Sequence, residues 1–272
     1  MSAAAGRWSE LAPAKLNLAL HVRGRLPDGR HALETIFAFC TDGDRLWAEP
    51  APELSLTVTG PFAAMLDDGP DNLVSRAAAA LAGEARVGRG ARLILDKRLP
   101  VASGIGGGSA DAAAALRLLT AMWRLDPAIA ARVAPELGAD VPACLLSLTS
   151  RGEGAGDRLA LVDAGVAGAP VLLVNPREGL ATGAVFAGWD GEDRGPLGDW
   201  REGRNDLEAP ARRLVPAIGA VLDWLREQPG AQFVRMSGSG ATCFALFEGE
   251  AERDAAAEAC PPAWWHLASV LR

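Results

Sequence analysis

A chain of 272 residues, 49% hydrophobic and 22% charged with a formal net charge of −7, has the make-up of a globular protein of one large domain or two lobes. The acidic balance argues against a general nucleic-acid surface, and no segment approaches the roughly 20 apolar residues of a membrane span. Residues 1–10 carry no apolar run suited to export, so the expectation is a cytoplasmic protein with neither nucleic acid nor membrane as partner. Cys40, Cys144, Cys243 and Cys260 lack Cys-x-x-Cys spacing and read as reduced core thiols, and the three histidines form no metal-binding pattern.

In chain order, residues 14–22 alternate strictly. Leu16, Leu18, Leu20 and Val22 take one face; Lys15, Asn17, Ala19 and His21 take the other, a strand that sets an ammonium beside an amide. Pro27-Asp28-Gly29 reads as a turn, residues 31–39 as the returning strand, and 45–48 and 54–59 as further strands. Asn72 suits the cap of a helix through Leu81 that Gly83 ends. A strand at 91–95 feeds a glycine-rich run; an alanine-rich helix follows over 112–122, a second follows Pro127, and Gly138-Ala139-Asp140-Val141-Pro142 breaks the chain.

After residue 160 the pattern restarts with a buried strand at 171–174. Residues 188–204, dense in glycine, aspartate, arginine and tryptophan, read as a solvated loop, and 212–226 as one amphipathic helix. A short strand at 233–236, the turn Ser237-Gly238-Ser239-Gly240, a strand at 242–247, a helix and a strand close the chain. Strands and helices without a βαβ rhythm predict an α+β architecture in two lobes, divided at 1–160 and 161–272.

The most informative stretch is Pro100-Val-Ala-Ser-Gly-Ile-Gly-Gly-Gly-Ser-Ala110. Four glycines in five residues (Gly104, Gly106, Gly107, Gly108) let successive N–H groups turn inward with no side chain in the way. Ser109 then stands where a helix N-cap belongs, and the positive end of the helix points at whatever the loop holds. Strand, glycine loop and helix in that order make a phosphate cradle; an ordinary turn would need one or two glycines. The loop is no Walker A motif, because no Gly-Lys-Ser/Thr closes it. It departs from the dinucleotide fingerprint at Ser109. Arginine is abundant, yet lysine occurs only at Lys15 and Lys97, both inside functional-looking segments; a compact ammonium is not interchangeable with a guanidinium.

Three segments in this order resemble the GHMP kinases: Pro13-Ala-Lys-Leu-Asn-Leu18, the glycine loop, and Ser237-Gly-Ser-Gly-Ala-Thr242. Pro27-Asp-Gly-Arg-His31, Lys97-Arg-Leu-Pro100 and Leu137-Gly-Ala-Asp-Val-Pro142 are similar to the branch of that family acting on a cytidine diphosphate sugar alcohol. The resemblance spans about residues 11–248. It implies the two-lobed GHMP kinase fold: an ATP-binding N-terminal lobe, a smaller α+β C-terminal lobe and an active site in the cleft between them. The implied reaction moves the ATP γ-phosphate to the 2-hydroxyl of 4-diphosphocytidyl-2-C-methyl-D-erythritol, with Mg2+, in isoprenoid precursor synthesis by a monomer or homodimer.

By the same resemblance Lys15 and Asp140 are the catalytic pair. Asn72, Lys97, Pro100, Val101, Ala102, Ser103, Gly104, Ile105, Gly106, Gly107, Gly108, Ser109 and Ala110 are implied to hold ATP; Asn17, Arg30, His31, Thr182, Phe186, Gly238 and Ser239 are implied to hold the second substrate. Read from the residues alone, Asp140 suits either a general base or a helix cap, Asn72 a cap or an adenine contact, Lys15 a surface strand position, and Phe186 core packing. Asp111, in the first helical turn, would repel phosphate if it faced the loop, so it either points away or helps place magnesium. Many relatives carry tyrosine where this chain has Arg30, whose flat guanidinium is the group available to stack on a base. The rival readings are a GHMP kinase for a mevalonate- or homoserine-type substrate, a catalytically silent nucleotide-binding relative and, last, a dinucleotide-dependent oxidoreductase.

Overall fold

The computed structural model describes residues 2–4 and 7–272. The chain forms two compact units, each assembled from separated stretches. The first takes residues up to 14, 42–101 and 106–147; the second takes 15–41, 102–105 and 148–272. Compactness therefore does not follow a single cut at 160, because residues 15–41 pack with the C-terminal half.

In the first unit, β1 (Ser2–Ala4) pairs antiparallel with the start of β2 (Arg7–Arg25), which neighbours β3 (His31–Ala51). β4 (Ser55–Thr59) runs parallel beside β5 (Gly90–Asp96), and β5 pairs antiparallel with Arg45–Ala51 of β3. The strands expected at 31–39 and 45–48 are thus one strand of 21 residues. Thr41-Asp42-Gly43-Asp44 looks like a turn, but Gly43 lies against the Ala12 backbone where any Cβ would collide, so pairing continues through it.

The helices of this unit pack chiefly on one another. α1 (Leu73–Glu84) starts at Asn72, whose side chain accepts from Val74 N. It runs on through Gly83, which keeps negative φ and does not end the helix. α2 (Gly107–Trp123) is buried on nearly every side, because alanines at 110 and 112–115 let neighbouring helices approach closely. α3 (Pro127–Leu137) begins with Asp126 as cap and proline at the first helical position, and α4 (Val141–Leu146) follows Gly138.

In the second unit, Leu33–Phe37 of β3 pair with β6 (Ser150–Gly154), which pairs with β7 (Arg158–Leu161). A separate antiparallel sheet contains β8 (Pro170–Asn175), β9 (Ala231–Met236), β10 (Cys243–Phe247) and β11 (Trp265–Val270) in the order β11-β8-β10-β9. It shares a core with α5 (Thr182–Ala187), α6 (Glu208–Leu214), α7 (Ala217–Arg226) and α8 (Glu250–Glu258). The single helix expected over 212–226 is therefore two. Pro216 pushes Val215 to φ −131° and ψ 88°, which stops α6 and starts α7. Nor is 188–204 wholly solvated, since Leu197 and Trp200 are buried and the Trp200 indole donates to the Ala164 carbonyl at 3.0 Å.

All four cysteines are buried and free of disulfides. Burial raises the Cys243 thiol well above its usual value and pushes Cys260 up to about 11, so neither is a reactive thiolate. No helix among the described residues is long and apolar enough to cross a membrane. Phe244, fully buried in β10 with its ring tilted against Phe233, anchors the second unit. Phe244→Ala is expected to cost about 3–5 kcal/mol of stability in denaturant titrations; a loss below about 1 kcal/mol would mean the site collapses around the cavity.

Candidate active site

The glycine loop is built in two halves, one in each unit. In the first unit α2 opens at Gly106, which adopts a left-handed conformation at φ 66° as its N-cap. Its carbonyl accepts the first helical hydrogen bond from Ala110 N at 2.7 Å. Ser109 is therefore not the cap but a half-buried residue of the first turn. The helix can begin this early because a residue without Cβ tolerates positive φ, and the amides of 107–109, ahead of the first helical bond, gather at the positive end of the dipole.

Beneath that turn lies a buried charge cluster. Lys97, at the end of β5 and 1% exposed, donates from Nζ to Asp44 Oδ2 at 2.5 Å and to Asp111 Oδ2 at 2.6 Å. Asp44 Oδ1 accepts from the Arg98 and Leu99 amides at 2.5 and 2.8 Å. Lys97, expected at the nucleotide, thus has two acidic partners for its buried ammonium. Burial alone would lower its pKa, but the charges and hydrogen bonds of Asp111 and Asp44 outweigh this and hold it above the usual lysine value. Burial pushes Asp111 up to about 8, with Lys97 opposing and the Asp44 charge reinforcing the rise. Asp111 accordingly points to Lys97 and away from solvent; its Oδ1 has no hydrogen-bond partner. Asn72, expected at the nucleotide, has both ends of its amide engaged: Oδ1 accepts from Val74 N at 2.9 Å and Nδ2 donates to the Asp67 carbonyl at 2.7 Å.

In the second unit, residues 102–105 lie against the turn 237–242. Ser103 O accepts from Thr242 N at 3.1 Å, and Ser237 Oγ donates to Gly104 O at 3.0 Å. Gly104 has φ 76°, and a Cβ there would stand 2.5 Å from Ser237 O and 2.7 Å from Gly240 N, so only glycine fits. Ile105 O accepts from Lys15 N at 2.9 Å, tying the loop to β2.

Lys15 is not a surface residue: it is 2% exposed, with its ammonium 5.0 Å over the Phe37 ring and 2.8 Å from Asn17 Oδ1. Asn17 is held in turn, because its Nδ2 donates to Thr35 Oγ1 at 2.8 Å and its backbone amide donates to Ser237 Oγ at 3.1 Å. Asn205 Nδ2 donates to the Met236 and Gly238 carbonyls at 2.8 Å each, and the Thr182 and Ser239 hydroxyls lie 3.0 Å apart. Lys15, Asn17, Gly104, Ile105, Gly238 and Ser239 are thereby brought into one network. Thr35, Asn205 and Asp44 were missed in the sequence, where each stands alone; Ser237 was legible only as part of the serine-glycine turn.

A third group surrounds His31. Phe186 stacks on the imidazole at 4.6 Å between ring centroids and Trp189 meets it edge-on at 5.7 Å. His31 Nε2 and Trp189 Nε1 are buried without hydrogen-bond partners. Burial, helped by Arg25, lowers the His31 pKa and favours the neutral ring. Phe186 is therefore a partner of His31 as well as of the core it packs on. Arg30 lies outside this group: its exposed guanidinium bonds Asp28 at 2.8 Å and Asp157 at 3.4 Å and stacks on no ring. Asp140 takes the cap position of α4 in an αR conformation, half-buried, and its side chain makes no capping hydrogen bond.

The Asp111 shift has a measurable consequence. The folded chain keeps this proton up to about pH 8, whereas an unfolded aspartate releases it near 3.8, so across that window the folded state binds more protons. The contribution of Asp111 to stability is expected to fall as pH rises from 5 to 8, against the opposite trend of His21 and His31, whose pKa values burial lowers. Between the two pH values the denaturant midpoint of Asp111→Asn should fall less, or rise more, than that of the parent; equal changes would place the proton elsewhere.

Comparison with known proteins agrees with this geometry. Residues 72–147 match the model of the GHMP kinases N terminal domain, and 191–266 match that of the GHMP kinases C terminal domain. The chain is 57% identical to a 4-diphosphocytidyl-2-C-methyl-D-erythritol kinase from Rhizorhabdus wittichii, covering 97% of this chain and 94% of that protein. It is 54% identical to the protein of that name from Novosphingobium aromaticivorans, over 97% and 92% of the two chains. A crystal structure of 4-(cytidine 5'-diphospho)-2C-methyl-D-erythritol kinase superposes with a TM-score of 0.84 at 36% identity, covering 97% of this chain and 98% of that one. The homoserine kinase from Cytophaga hutchinsonii shares the fold alone, with a TM-score of 0.74 at 16% identity over 100% of this chain and 97% of that one.

Proposed function

We propose, for a chain that belongs to the GHMP kinase family, that it transfers the γ-phosphate of ATP to the 2-hydroxyl of 4-diphosphocytidyl-2-C-methyl-D-erythritol, a step toward isoprenoid precursors. The observation that carries the chemistry is the left-handed Gly106 at the head of α2. It gathers the first amides of a 17-residue helix without a side chain over them, which is what a phosphate chain requires. The kinship supplies the identity of the acceptor.

Phosphoryl transfer asks a protein chiefly for positioning and charge neutralisation. The acceptor oxygen bonds to the γ-phosphorus, the bond to the β,γ-bridging oxygen breaks, and ADP leaves. The hydroxyl proton goes to Asp140, assigned as base at the head of α4. Lys15 is assigned to the charge that develops during transfer. Its ammonium, set over Phe37 and oriented by Asn17, works in a low-dielectric surrounding where a charge acts strongly. Of the remaining ATP-contact assignments, Gly106–Ala110 keep theirs at the backbone, while Asn72 and Lys97 act through the structure they hold.

The pyrimidine is assigned to the His31, Phe186 and Trp189 group. Two buried ring nitrogens without partners beside stacked aromatic faces suit a flat base with hydrogen-bonding edges. Trp189 takes the aromatic role that Arg30, bonded to two aspartates, does not. Thr182, Gly238 and Ser239 are assigned to the rest of the substrate, where Thr182 and Ser239 already share a contact.

Mg2+ is the expected counterion of the nucleotide, and when bound it would neutralise phosphate charge. The donors present fit an ion carried largely by phosphate oxygens: the Ser109 hydroxyl in the first turn of α2 is a hard oxygen ligand, while Asp111 is committed to Lys97. The protein is expected in the cytoplasm, as a monomer or homodimer.

Asp140→Asn is expected to bind ADP as the parent does while kcat falls about 10²–10⁴-fold. Calorimetry and steady-state assays on the same preparation read the two separately; a near-parental kcat would remove Asp140 from the mechanism. Turnover measured against 4-diphosphocytidyl-2-C-methyl-D-erythritol, mevalonate phosphates and homoserine tests the acceptor, and preference for either of the latter would replace it.

A further inference from the structure

We propose that Lys97, Asp44 and Asp111 form a positioning device for ATP that acts from beneath the phosphate loop without touching the nucleotide. The inference rests on the nucleotide reading of the loop given above. Three elements meet at one ammonium: β3 through Asp44, the end of β5 through Lys97 itself, and the first turn of α2 through Asp111. Asp44 also accepts from the amides of residues 98 and 99, so the chain entering the loop is held by the same carboxylate that holds the ammonium. The first turn of α2 is thus pinned from below on one side while its amides are offered on the other.

Two observations separate this arrangement from an ordinary buried ion pair. A Cβ built on Gly107 would stand 3.0 Å from Lys97 Nζ, so the ammonium lies directly under a loop glycine and leaves that backbone no room to move inward. Asp111 also retains a buried Oδ1 without a hydrogen-bond partner, which burial for packing alone would not favour. A device that only stabilised the fold would be better served by apolar side chains of equal volume. Here two acidic side chains are buried to hold one ammonium beneath the loop, which ties the first turn of α2 to β3 and to the chain after β5. Lysine suits this role because its charge is compact; the forked guanidinium that the chain uses nearly everywhere else is not.

Asp111→Ala in the full chain cuts the link from α2 to Lys97 and leaves the Lys97–Asp44 pair. The expected result is a rise of about tenfold or more in KM for ATP with kcat changed about threefold or less, and Asp111→Asn, which keeps an oxygen acceptor, recovering most of it. KM for the alcohol substrate is expected to stay near the parental value. A stabilising role alone would lower the melting temperature and leave KM for ATP unmoved, and that outcome overturns the proposal. Should Asp111→Ala fail to fold, Asp44→Asn reports on the same cluster: a selective rise in KM for ATP supports the device, and an unchanged KM overturns it. Calorimetric titration with ADP alone distinguishes the two readings. If the parent binds no ADP, the nucleotide reading fails; if parent and variant bind it equally, only the positioning role fails.

Discussion

An ammonium group taken out of water must find partners inside the protein, and in this chain that requirement falls on both lysines. Lys15 and Lys97 are each almost fully buried, while the abundant arginines mostly reach solvent. The two sites meet the requirement differently. Lys97 is held by two acidic side chains, Asp44 and Asp111, and burial raises the pKa of Asp111 above its normal range. Lys15 has the amide of Asn17 and the face of Phe37 among its partners, and these orient its ammonium.

Backbone handedness supplies the second constraint. Gly106 turns left-handed to open α2, and Gly104 turns left-handed to pass against residues 237–240. At Gly104 a side chain has no space, and at Gly106 it would strain the conformation that gathers the amides. The loop is therefore shaped by what its glycines permit, and polar side chains hold residues 103–105 against the serine-glycine turn. Ser237 illustrates this: one hydroxyl accepts from the Asn17 amide and donates to the Gly104 carbonyl.

Much of the fold was legible because periodicity and capping are local. The strand over residues 14–22, the Asn72 cap, the helix after Pro127 and the strand before the glycine loop all appear as expected. The departures occur where a neighbour overrides the local signal. β3 continues through a turn-like tetrapeptide because Gly43 packs on Ala12, Pro216 divides a continuous amphipathic pattern, and α2 begins at Gly106 before the serine that looks like its cap.

By itself the sequence determined the order of motifs, the glycine-rich path of the loop, the retention of lysine at two positions and membership of the kinase family, since each is a property of residue type and spacing. Only the tertiary structure decided what those residues face. It buried Lys97 with Asp44 and Asp111 when sequence alone placed it toward a ligand, joined Asn17 to Thr35 and Ser237 across 18 and 220 positions, and set Trp189 rather than Arg30 beside His31. Burial and long-range hydrogen bonding depend on which segments come together, and no local pattern of residue types encodes that.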